Sequence, residues 1–255
     1  MNSTLLSSRY LGKICLITGG TRGIGLATAH RFVNEQGTVV ICSSREESVQ
    51  GALKTFTKDT VESGRVHAFQ CDVTQKLQRL AMIERISKLF GRIDVMVLNH
   101  AVITHIGKQM EITEEKFDEA IDVNLKSVFF MIQESLPLLK ASKCGANILL
   151  TSSISAVDPF YSIGVYGITK AGVNNMVKSL SVEFISDNIR VNAIAPGLVD
   201  TDMAAPFIRD NSAVNSKNCA KPEQIASVIA TICSEQDGGF MNGEIYTVHG
   251  GYPRL

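Results

Sequence analysis

An excess of charge is missing from this chain: lysine and arginine number 25 and aspartate and glutamate 25, so the formal charge is zero. No long run of one sign breaks that balance, which removes the electrostatic grounds for nucleic-acid binding or a polybasic membrane contact. Also lacking is any apolar window near the roughly 20 residues that a membrane span needs. The opening MNSTLLSSRYLGK has no apolar core of signal-peptide length. A soluble protein is the expectation. Cys15, Cys42, Cys71, Cys144, Cys219 and Cys233 never fall at C-x-x-C spacing. Four of them sit in or beside apolar runs, where a thiol behaves as a small hydrophobe, so they read as reduced and intracellular. Internal repeats, linkers and low-complexity segments are absent too. His100 and His105 invite a metal, but no Cys, Asp or Glu stands at ligand spacing around them, and no metal is expected.

What is present is a rhythm. With 255 residues, 45% of them hydrophobic, the chain can bury one sizeable core, and a single domain over 1–255 is expected. Apolar or β-branched runs at 13–18, 38–43, 65–70, 94–99, 147–152, 189–195 and 244–248 predict seven strands. Helix-period apolar positions fill 23–35, 46–60, 75–90, 113–141, 165–186 and 222–234. Strand and helix in alternation predict an α/β fold, a doubly wound Rossmann-type parallel sheet with helices on both faces. A short irregular segment, 1–11, precedes it. Residues 202–221, polar and without a strand, read as a substrate lid carrying Met203, Phe207 and Ile208.

The first strand runs into TGGTRGIG, with Gly19, Gly23 and Gly25 spaced as T-G-x-x-x-G-x-G and Thr21, Arg22 and Ile24 between them. Glycine permits the tight turn and lets backbone N–H groups at a helix start approach a pyrophosphate. In a strand–turn–helix setting the motif predicts dinucleotide binding rather than a bare surface turn. About 20 residues on, an acid would hold the ribose 2′-hydroxyl of NAD. Here that acid is missing: Ser44 takes its place and Arg45 follows, a pairing suited to a 2′-phosphate, with Arg22 within reach. NADP(H) is therefore the expected cofactor, although Glu46 and Glu47 allow Arg45 simply to open a solvated helix.

At the end of the fifth strand TSSIS supplies hydroxyls at the carboxyl edge of the sheet, where open α/β sheets bind ligands. Ser153 lies 13 residues before Tyr166. Tyr166 and Lys170, four apart on the next helix, leave it on one face and can meet one ligand. A tyrosine and a lysine at this spacing are often just a wet helix face, and it is their company that argues for chemistry.

These stretches, with CDVT at 71–74, LNHA at 98–101, DVNLKS at 122–127, YGITK at 166–170 and APGLVDT at 195–201, resemble the short-chain dehydrogenase/reductase family in order and over nearly the whole chain. SSREESV, EITEEKFDEAIDVNL and NGEIYTVHGGYPRL look most like its NADP-dependent carbonyl reductases of dehydrogenase/reductase member 4 type. The resemblance implies an NADP(H)-dependent oxidoreductase that reduces ketones, aldehydes or dicarbonyls and runs in reverse. Tyr166 would be general acid, Lys170 would lower its pKa and hold the nicotinamide ribose, and Ser153 would hold the carbonyl oxygen. Asn124 would hold a water linking Lys170 to solvent. Asp72 and Val73 would meet the adenine, Pro196, Val199 and Thr201 would hold the carboxamide, and Asn99 and Ala101 stand where the family has its second asparagine and its glycine, among its cofactor contacts. LNHA departs from the usual NNAG, and His249 stands where many relatives have aspartate.

A homotetramer or homodimer follows from the same resemblance, consistent with apolar stretches in 113–141 and 165–186. Cytoplasmic placement is implied; the terminal Pro-Arg-Leu loosely resembles a Ser-Lys-Leu peroxisomal address. Two competing functions stay open. A 3-oxoacyl thioester reductase would want a basic patch for an acyl carrier, and only Arg209, Lys217 and Lys221 stand near the lid. A catalytically silent cofactor-binding subunit would usually lack the tyrosine or lysine, and both are present.

Overall fold

The computed structural model describes residues 8–209 and 219–251. In chain order the elements are β1 (Ile14–Thr18), α1 (Gly23–Asn34), β2 (Thr38–Ser43), α2 (Glu46–Leu53), α3 (Lys58–Glu62), β3 (Val66–Gln70), α4 (Lys76–Phe90) and β4 (Val95–Leu98). They continue as α5 (Glu114–Ile121), α6 (Ser127–Lys140), β5 (Ala146–Thr151), α7 (Gly164–Glu183), β6 (Ile189–Pro196), α8 (Ala205–Arg209), α9 (Pro222–Cys233), α10 (Glu235–Gly238) and β7 (Ile245–Val248). The seven strands form one parallel sheet in the order β3-β2-β1-β4-β5-β6-β7, the Rossmann-type arrangement the sequence predicts.

Burial on both faces explains why the strands read as unbroken apolar runs rather than alternating ones. Every residue of β1 and of β5 is buried. One face packs Leu16, Val40, Met96, Ile148 and Val191 against α4, α6 and α7; the other packs Ile17, Ile41, Val97, Leu149 and Ile194 against α1 and α9. Successive residues of each strand thus serve opposite cores. The order reverses between β1 and β4, and a crevice opens at that point outside the carboxyl ends of the strands.

Two expected helices are not continuous. The segment 46–60 divides into α2 and α3, because Thr57 takes an extended backbone and its hydroxyl accepts from Thr60 N as an N-cap. Between α5 and α6 the helix widens into a π turn over Asp122–Lys126. Of the irregular start, residues 1–7 lie outside the described residues, as do 210–218 of the expected lid and the terminal Pro-Arg-Leu. The described start of the lid forms α8, and its end returns to the fold through a bridge between Val199 and Ala220.

Candidate active site

The turn after β1 is shaped by close approach. Gly19 has a left-handed φ of 61°, and a Cβ there would stand 3.0 Å from His100 Cα. A Cβ on Gly25 would lie 2.2 Å from Gly19 O and 2.7 Å from Asn99 Nδ2, so only glycine lets α1 begin this close under the turn. Arg22, the extended residue before α1, caps none of its first N–H groups, and no acid sits in the first turn. Uncapped donors at a helix N-terminus facing an open crevice suit the pyrophosphate of a dinucleotide.

That crevice is a cleft of about 1470 Å³. Along its wall stand Gly19, Thr21, Arg22, Gly23, Ile24, Ser44, Asp72, Val73, Asn99, Ala101, Ser153, Tyr166, Lys170, Pro196, Val199 and Thr201, so most residues expected of the site come together. Three do not line it. Gly25 is buried beneath the turn, Asn124 is fully buried behind the wall, and Arg45 is exposed as the residue before α2. Arg22 donates to Asp202 of the lid segment over 3.2 Å rather than projecting freely. Asp72 holds its own loop, accepting from Thr74 N at 3.0 Å and Thr74 Oγ1 at 2.7 Å. Asn99 ties three elements: its N–H donates to Thr18 Oγ1 over 3.2 Å, its amide to Gly19 O over 3.2 Å, and Thr151 Oγ1 donates to it over 3.3 Å.

The first turns of α7 carry Tyr166 and Lys170 against the end of β5. Lys170 is 1% exposed, and its ammonium donates to Thr151 O over 2.6 Å, 5.6 Å from the centre of the Tyr166 ring. Burial brings Lys170 down to about 7. Burial likewise pushes Tyr166 up to about 12, opposed by its hydrogen bond to Ser153. Desolvation is the larger of these two influences, so the tyrosine holds its proton through neutral pH. Ser153 is fixed in turn, accepting from Ser155 N at 3.2 Å and Ser155 Oγ at 2.9 Å.

Asn124 sits in the π turn, where the widened backbone aims its amide inward. Its Oδ1 accepts from Val102 N at 2.8 Å, while its Nδ2 donates to Val102 O over 2.9 Å and to Thr169 Oγ1 over 3.3 Å. The side chain pins the loop after β4 to α7, close behind the tyrosine and lysine.

His100, one of the departures in LNHA, is a structural relay. Its ring lies 2.6 Å from Thr18 Oγ1 and 2.8 Å from Ser127 Oγ, whose proton goes to Val123 O over 2.7 Å. Ser127 must then accept, so Nε2 carries the hydrogen and Nδ1 accepts from Thr18. Burial first, and then the Lys170 charge, lower His100 to about 3, which keeps it neutral. Among the described residues no group of three or more His, Cys, Asp and Glu could hold a metal ion.

Sequence reasoning missed the parts played by Thr151 and Thr169. Thr151 acts on Lys170 through a backbone carbonyl, which no side-chain pattern announces. Met203 and Phe207 line the cleft with Phe160 and Tyr161, as does His249, whose Cβ packs where a Cβ on Gly197 would stand. The side chain of Ile208 lies outside the described residues.

Residues 19–253 match a family model described as enoyl-(acyl carrier protein) reductase. The chain is 31% identical over 248 residues to dehydrogenase/reductase SDR family member 4 of Oryctolagus cuniculus, covering 94% of both chains. Its structure is similar to that of levodione reductase, with a TM-score of 0.86 at 25% identity over 95% of this chain and 98% of that one. A 3-ketoacyl-(acyl-carrier-protein) reductase from Brucella melitensis, solved in complex with NADH, gives a TM-score of 0.86 at 26% identity over 94% and 98%.

Proposed function

The chain belongs to the short-chain dehydrogenase/reductase family, and from that footing we propose that it is an NADP(H)-dependent carbonyl reductase with Tyr166 as proton donor. The observation that carries this reading is the Ser153, Tyr166 and Lys170 cluster on the wall of a cleft that also holds the glycine turn. The bound nicotinamide supplies the hydride. What this chain's residues do is place the carbonyl and move the proton. Ser153 donates to the carbonyl oxygen and fixes it beside the phenol. Tyr166, protonated at neutral pH, gives its hydrogen as the oxygen gains charge, and takes one back in alcohol oxidation. Lys170, held by Thr151 O, stands behind the phenol and offers a cation that favours the tyrosinate as it forms.

Ketones, aldehydes and dicarbonyls are the proposed substrates. Ile103, Ile106, Phe160, Tyr161, Met203 and Phe207 give the cleft an apolar wall beside the tyrosine. A 3-oxoacyl reductase acting on a carrier would want a basic rim, and the described lining instead carries Glu119, Asp158, Asp200, Asp202 and Glu223. The preference for NADP(H) rests on the missing acid at Ser44 and on Arg22 and Arg45, which reach a 2′-phosphate once Arg22 leaves Asp202. A homotetramer, or a homodimer, in the cytoplasm completes the proposal.

Oxidation of NADPH and NADH measured side by side across quinones, diketones, retinoids, steroids and acyl thioesters tests it. NADPH should be strongly preferred, with Arg45→Ala narrowing the gap. Equal use of NADH would remove the assignment of Ser44 and Arg45.

A further inference from the structure

The run TSSIS, which leaves the end of β5, puts serines at 152, 153 and 155, and each has a different task. Ser152 Oγ donates to Lys170 O over 3.3 Å and ties the strand end to α7. Ser153 lines the cleft. Ser155 is buried, and its peptide presses on α7: a Cβ on Gly167, the residue after Tyr166, would stand 2.8 Å from Ser155 O. Ser153 has an extended backbone and opens a 3-10 turn over Ile154–Ala156. As the cap of that turn it accepts from Ser155 N at 3.2 Å, the bond a capping serine ordinarily makes. A second bond is added to it, from Ser155 Oγ to Ser153 Oγ over 2.9 Å.

We propose that Ser155 is a positioning residue for carbonyl reduction, one that fills both acceptor lone pairs of Ser153 Oγ and so makes the Ser153 hydroxyl a donor only. The inference rests on the reductase reading of the cleft. A hydroxyl oxygen has two lone pairs to accept with and one hydrogen to give. The Ser155 N–H takes one of those lone pairs and the Ser155 O–H takes the other. What remains to Ser153 is its hydrogen, and the cleft it lines is where that hydrogen is left to point.

Direction matters because two hydrogens must meet one oxygen. Ser153 holds the carbonyl oxygen with its hydrogen, and Tyr166 delivers the proton to the same atom. A Ser153 with an open lone pair is able to accept the phenol's hydrogen, which turns the proton away from the substrate. Ser155 closes that route. A donor oriented before the reaction needs no reorganisation as the carbonyl oxygen gains charge. Bonds given into Ser153 Oγ also polarise its O–H, since hydrogen bonds in a chain strengthen one another. Both effects grow as the alkoxide forms, so they act on turnover more than on substrate capture.

Steady-state carbonyl reduction by full-length Ser155→Ala, Ser153→Ala and the double variant tests it, with NADPH binding and thermal unfolding read on the same samples. Ser155→Ala should lower kcat about three- to tenfold, the loss of one hydrogen bond between neutral groups, and leave KM and NADPH affinity near the parent's. In the Ser153→Ala background the same change should lower kcat no further, because the hydroxyl that Ser155 directs is gone. A purely structural serine would instead cost the same in both backgrounds. Should the alanine variant not fold, Ser155→Cys, which keeps the shape but donates weakly, is read in the same way. Parental kcat in Ser155→Ala, or an equal loss with and without Ser153, would overturn the proposal. A parent protein that reduces no carbonyl would sink the reductase reading instead. Crystals of the parent and of Ser155→Ala would then decide the hold of Ser155: Ser153 should keep one rotamer in the parent and take others in the variant, and one rotamer shared by both would overturn it.

Discussion

Lys170 shows how a single side chain couples the site to stability. Burial takes it from its ordinary 10.5 to about 7. Below pH 7 folded and unfolded chains both hold the proton, and the folded state bears the full penalty of a buried charge. Between about 7 and 10.5 the unfolded chain keeps a proton that the folded protein has released, so this group makes stability climb with pH across that window. Lys170→Met should remove the slope, gaining most over the parent protein below pH 7 and least near pH 10.5. Urea midpoints across that range check it, and parallel curves for the two proteins would contradict it. Tyr166, raised from 10 to about 12, works the other way: across that window the unfolded chain has released a proton that the folded protein keeps, so stability falls as pH rises from 10 to about 12. The identities of Tyr166, Lys170 and Ser153 were legible because their chemistry lies in their side chains. Their protonation was not, because desolvation depends on what the fold packs around them. His100 was illegible for a like reason: its partners Thr18 and Ser127 are 82 and 27 residues away.

At the level of elements, all seven strands stand within a residue of their expected bounds at both ends, since doubly buried strands write their burial directly into the sequence. Helix interiors were less legible. The split of α2 from α3 hangs on one hydroxyl cap at Thr57, and the π turn at Asp122–Lys126 on tertiary contacts of Asn124. That turn is where element and chemistry meet. Asn124→Ala takes these partners from Val102 N and Val102 O in a half-buried loop, where the loss costs at most about 1–3 kcal/mol per group. The variant should unfold at lower denaturant and lose turnover together, because the loop it pins lines the same cleft as the tyrosine. Asn124→Asp retains the acceptor for Val102 N alone, so it should recover part of the stability. An Asn124→Ala protein as stable as the parent would show that the amide does not hold the loop.

Across the whole molecule, the glycine turn, the loop after β4, the end of β5 and the loop after β6 converge only because the strand order reverses between β1 and β4. The alternation of strand and helix made that sheet legible, while the lid was not, since a polar segment has no periodic pattern to fix its path. Association also belongs at this scale. Phe129 on α6, Val182 on α7 and Phe240 after α10 are exposed apolar side chains on the described surface. Light scattering should return two or four times 27.7 kDa, and a mass near 27.7 kDa would contradict an oligomer. The central claim is that one cleft joins dinucleotide binding to proton transfer by Tyr166. Steady-state NADPH oxidation with a responsive carbonyl, run with NADPH binding for the parent protein and Tyr166→Phe, tests it most directly. The variant should bind NADPH as the parent does and lose about 10²–10⁴ in turnover. Undiminished turnover by Tyr166→Phe would contradict the account.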